Sequence, residues 1–141
     1  GVQVTIERLR QYGALKREIK MLERKLDILY DRKDSVPEVM GKVTGSSSDF
    51  PYTEVRTTVQ MNDPIKEDAL SKLIRAKENR LKEINQLVLE IEQYIAAIPD
   101  STVRQLFELV FVDGTTYERA GEQVGYSKGR VSQLISKQLK D

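Results

Sequence analysis

The sequence predicts an all-α chain: two long coiled-coil-like helices joined by a loop or short β-hairpin, then a C-terminal helix-turn-helix domain. Three observations point there. Charged residues reach 32% and aromatics only 6%, a composition of long solvated helices more than of a large compact core. Apolar residues recur at helical spacing over two extended stretches. A run of short segments punctuated by Gly, Pro and Ser follows at the C-terminal end. The division is residues 1–98 as a long-helix module, with an insert at 36–62, and 99–141 as the helix-turn-helix domain.

The first helix spans 3–34. Ile19, Leu22, Leu26 and Leu29 keep a 3-4-3 spacing, and Tyr12 and Leu15 extend it backwards. Ile6 and Leu9 fall off that register and Gly13 weakens the middle, so the first two turns fray or pack elsewhere. Pro37 is expected to end the helix. Gly41, Gly45 and Ser46–Ser48 then read as loop. Thr53–Met61 alternates Val55, Val59 and Met61 against Glu54, Arg56, Thr58 and Gln60, the pattern of a strand, with Val43 and Thr44 as its expected hairpin partner. A lone hairpin is marginal in water, so it should rest on the helices or on another subunit.

The second helix spans 63–98, with Asp63 as N-cap and Pro64 at the first helical position. Leu70, Lys77, Ile84, Ile91 and Ile98 take a positions. Leu73, Arg80, Leu87 and Tyr94 take d, and Ile74, Leu81, Val88 and Ile95 flank them at e. Such a stripe suits a bundle of three or four helices. Asp63, Glu67 and Asp68 are explained by capping and the helix dipole, so no metal is expected.

Pro99-Asp100-Ser101 restarts the chain. Asp100 or Ser101 caps a helix over 102–112, Thr115 or Thr116 caps one over 117–124, and Ser127 caps the last, 128–140. Gly125 supplies the left-handed residue that the turn requires, and Gly121 is small where two helices cross. The last helix buries Val131, Leu134, Ile135 and Leu139. Lys128, Gly129, Ser132, Gln133, Ser136 and Lys137 face out, a hydrogen-bonding and basic surface without acid that suits a major groove. Net charge is only +1. Yet residues 115–140 carry Arg119, Lys128, Arg130, Lys137 and Lys140 against Glu118 and Glu122.

The residue inventory narrows the chemistry. His, Cys and Trp are absent, which excludes thiol nucleophiles, Ser-His-Asp triads, Cys/His zinc sites and disulfides. No catalytic residue, metal or cofactor is expected. No apolar run is long enough to span a bilayer, and the first residues do not read as a signal peptide.

Ile98-Pro99-Asp100, Arg104-Gln105-Leu106-Phe107, Phe111-Val112-Asp113-Gly114, Thr116-Tyr117-Glu118, Val124-Gly125-Tyr126-Ser127 and Arg130-Val131-Ser132-Gln133-Leu134 resemble region 4 of the sigma-70 family. That helix-turn-helix reads the −35 promoter element. The resemblance implies DNA-reading positions at Lys128, Gly129, Ser132 and Gln133. It implies backbone-positioning sites at Thr116, Tyr117, Arg130 and Lys137, with Ser127 opening the recognition helix. Gly129 stands where the family has an acidic or polar reader, Ser132 where it has an Arg, and Ala120 and Gly121 where it has a large aliphatic and an Ala. The layout of the whole chain resembles small phage regulators of the RinA/ArpU type from Gram-positive hosts. It implies a transcriptional regulator, activator-like, in the cytoplasm of a bacterial host cell. Its expected partners are double-stranded DNA and further copies of itself, as a dimer or higher oligomer, with bacterial RNA polymerase left open as another. The rivals are a small-terminase-like DNA-packaging oligomer and a polymerase-gripping factor with little DNA binding of its own.

Overall fold

A computed structural model describes residues 4–45 and 64–140 of the chain, and side chains over 4–34 and 65–140. The described residues are helical, without strands, in the order α1 (Ile6–Arg10), α2 (Tyr12–Gly45), α3 (Pro64–Ala96), α4 (Ser101–Phe107), a π-helical turn (Glu108–Val112), α5 (Tyr117–Val124) and α6 (Lys128–Lys140). The all-α expectation holds. The strand expected over 53–61, the Phe50-Pro51-Tyr52 stretch and the Asp63 cap lie outside the described residues.

Three details correct the sequence reading. The helix does not end at Pro37 but runs through it to Gly45, so Val43 and Thr44 are helical and not a strand. A proline deletes one hydrogen bond, yet its fixed φ is itself helical and the ladder can resume beyond it. The N-terminal helix is broken at Gln11, whose N–H reaches back to the carbonyls of Arg8 and Leu9. Thr5 caps α1 by accepting from the Arg8 N–H at 3.2 Å, and Leu9 is fully buried, so this turn packs rather than frays.

The third correction concerns which face of α3 is inside. The buried residues are Ile74, Ile84, Val88, Ile91, Ile95 and Ile98, with Leu81 half-buried. From Leu81 onward they form an unbroken 3-4 stripe along the positions assigned to a and e. The d positions lie at its margin: Leu73 and Arg80 are exposed, Leu87 and Tyr94 half-buried. From Ile84 onward every residue of the stripe is β-branched.

The chain groups into two compact units, Gly1–Ile19 with Glu83–Asp141, and Lys20–Lys82. In the second, Leu26, Leu29 and Ile74 form a small core flanked by Leu70 and Leu81, and the Tyr30 hydroxyl donates to Glu78. In the first, the Tyr12 hydroxyl donates to Glu92 at 2.7 Å. Burial and that carboxylate push the Tyr12 phenol up to about 12. Tyr94, Phe107 and Phe111 stack as tilted pairs with centroids 6.1 and 5.3 Å apart. Each such contact adds about 0.5–1.5 kcal/mol beyond its buried area. Phe107 is fully buried, so these rings tie α3 to the helices that follow.

Candidate nucleic-acid interface

The C-terminal helices are fixed by side-chain caps and two glycine turns. Asp100 caps α4 by accepting from the Val103 N–H at 3.0 Å. Arg104 then donates to the Ile98 carbonyl at 2.6 Å, closing the Ile98–Ser101 bend. After the π-helical turn, Gly114 takes φ +75°. Thr115 is not the cap of the next helix: its N–H and its hydroxyl both donate to the Leu109 carbonyl, at 2.9 and 2.7 Å. Thr116 is the cap, accepting from the Arg119 N–H at 3.1 Å. Its position orients the opening of α5. The first N–H groups of any helix lack intrahelical acceptors and favour a phosphate.

The turn between α5 and α6 is tight because of two glycines with different duties. Gly125 adopts φ +82°, which an L-residue resists. Gly121 is where the turn comes back against α5. Its carbonyl accepts from the Tyr126 N–H at 2.8 Å. A Cβ there would lie 2.3 Å from the Tyr126 carbonyl oxygen and 3.1 Å from a Val131 methyl. The small residue expected at the helix crossing is therefore required by backbone contact. Ser127 caps α6, accepting from the Arg130 N–H at 3.1 Å.

With Val131 and Ile135 fully buried and Leu134 and Leu139 half-buried, the inner face of α6 is set. The opposite face presents Lys128, Gly129, Arg130, Ser132, Gln133, Ser136 and Lys137, all exposed. No acidic side chain interrupts it. Nothing lies within 4 Å of a Cβ built on Gly129, so that position is open surface. The Arg130 guanidinium stands 6.0 Å from the centre of the Tyr126 ring, a cation–π distance that aims the arginine back along the turn. Thr116 is exposed and Tyr117 half-buried, at the start of α5.

The sequence reading missed two residues near this site. Arg10 and Arg17, with Gly13 and Ala14 between them, line a cleft of about 270 Å³ whose other wall is Val110–Val112, Gly114 and Tyr117. The signal was partial: two arginines seven apart fall on one face of the continuous helix the sequence predicts, with the small Gly13 and Ala14 between them. Among the described residues no group of acids could hold a metal ion, and no helix is long and apolar enough to cross a membrane.

Residues 97–140 match the family model described as sigma-70, region 4, a DNA-binding helix-turn-helix. Comparisons with curated proteins and with solved structures give no match.

Proposed function

We propose that the chain is a sequence-specific duplex-DNA-binding transcriptional regulator, activator-like and of phage or prophage origin, that reads the major groove with α6. The observation that carries this is the acid-free outer face of α6, held rigidly by the Gly121–Tyr126 turn. Its roles follow from side-chain chemistry. Lys128 and Gln133 have the donors and acceptors to read base edges. Gly129 and Ser132 give close approach and a small hydroxyl contact. Arg130, Lys137 and the opening of α5 at Thr116 and Tyr117 hold phosphates, which fix register without reading sequence. Ser127 orients α6 through its cap.

One small helix-turn-helix binds weakly, so residues 1–98 serve as an oligomerisation module. A second copy doubles the half-site and adds spacing specificity. The exposed Met21, Ile28 and Leu73 leave apolar surface for that contact. A second reading, a polymerase-bound factor with little DNA affinity of its own, draws on Gly129 and Ser132, which are short where a reader needs reach.

Selection from randomised duplex DNA at two salt concentrations separates these readings. A recovered motif, lost in the Lys128→Ala/Gln133→Ala variant, is the expected result. A repeated half-site within it would report the symmetry. Retention without enrichment, vanishing as salt rises, would reject autonomous sequence reading.

A further inference from the structure

We infer that the N-terminal helical segment supplies a second, sequence-independent contact to DNA: the cleft between Arg10 and Arg17 and the start of α5 takes the sugar–phosphate backbone beside the base-reading site. This rests on the DNA-binding reading above and extends it to residues outside the matched helix-turn-helix.

The placement is specific. The cleft's far wall includes Tyr117, the first residue of α5, where a docked duplex brings a phosphate to the helix opening. The near wall is Arg10, at the end of α1, with Gly13 and Arg17 on the first turns of α2. Both arginines are exposed, and neither has an ion-pair partner among the described residues. No carboxylate lines the cleft. Two guanidiniums outside any ion pair on an open wall, continuous with a helix N-terminus, make a surface complementary to phosphate, whose planar bidentate recognition is what arginine does best. Gly13 keeps the wall low beside Arg17, whose guanidinium nitrogen would stand 3.4 Å, an ordinary contact, from a Cβ built there. Leu9, fully buried, lines the floor of the same cleft beside Arg10.

The test uses the full chain and compares wild type, Arg10→Gln/Arg17→Gln and Arg10→Lys/Arg17→Lys. Affinity for the selected duplex and for a scrambled duplex is measured across a salt series. Each phosphate contact contributes about 0.9 to the slope of log K against log salt. The Gln pair should therefore bind both duplexes more weakly by a similar factor, with a slope shallower by about 2. The Lys pair should keep the wild-type slope, and melting temperatures should agree because both side chains are exposed. A Gln pair with unchanged slope and affinity, beside a wild type that binds, would overturn the cleft contact alone. So would a loss confined to the selected duplex, which would mark base reading instead. A wild type that retains neither duplex would overturn the DNA-binding reading itself, and this inference with it.

Discussion

Replacing Gly121 by alanine tests the geometry that aims α6. In an open helix position the change stabilises by about 1 kcal/mol, since glycine loses more backbone entropy on folding. Here the new methyl would sit 2.3 Å from the Tyr126 carbonyl oxygen. No rotamer relieves that contact, because both partners are backbone or rigidly attached to it. Either the turn moves outward, weakening the 2.8 Å bond from the Tyr126 N–H to the Gly121 carbonyl, or Val131 is displaced as well. Overpacking of this kind costs about 1–3 kcal/mol, so the net change is a destabilisation of up to about 2 kcal/mol. For a chain of this size that is a fall of up to about 8 °C in Tm. Gly129→Ala is the matched control, with nothing within 4 Å of its Cβ, and its Tm should equal or slightly exceed that of wild type. Thermal unfolding followed by circular dichroism reads both. A Gly121→Ala protein as stable as Gly129→Ala would refute the close-approach argument.

Three further outcomes are expected. Tyr12 carries a folded-state pKa raised to about 12 from an unfolded value of 10. Its protonated form is favoured in the native state, so its contribution is full below pH 10 and is lost as pH rises through about 12. Urea titrations at pH 8 and pH 11.5 should show a smaller alkaline loss for Tyr12→Phe than for wild type, and equal losses would contradict the pairing with Glu92. Phe107→Ala removes a fully buried ring that contacts Tyr94 and Phe111. It should cost about 3–5 kcal/mol, seen as an early loss of helical signal and of DNA retention together. Thr116→Ala deletes the cap on the Arg119 N–H and should cost about 1 kcal/mol. Thr116→Ser, which keeps the oxygen, should restore most of that in the same denaturation assay.

The C-terminal domain was legible because its structure is written in local chemistry. Asp100, Thr116 and Ser127 act as caps where a short polar side chain precedes an apolar run. Gly125 marks a left-handed turn whatever surrounds it. The long helices were legible as helices but not in their inward face. On α3 the a/d frame and the a/e frame differ by one position, and the deciding fact, burial of Ile74, Val88 and Ile95, comes from packing against other segments. The π-helical turn at Glu108–Val112 had no marker, since its residues equally suit an α-helix. Pro37 misled because a proline's local cost does not forbid a helix beyond it. The Arg10–Arg17 cleft is tertiary, formed when residues a hundred positions apart meet, so the sequence shows its arginines but not what they face.

The most direct test of the central claim exploits the absence of cysteine from the sequence. Ser136→Cys places a single thiol on the exposed face of α6, one turn beyond the proposed base readers. A short photo-crosslinker attached there and activated on the selected duplex should join to base edges exposed in the major groove of the recovered motif. The joining should disappear in the Lys128→Ala/Gln133→Ala background. Bound protein whose crosslinks fall only on sugars or in the minor groove, or scatter independently of the motif, would contradict the claim that α6 reads the major groove.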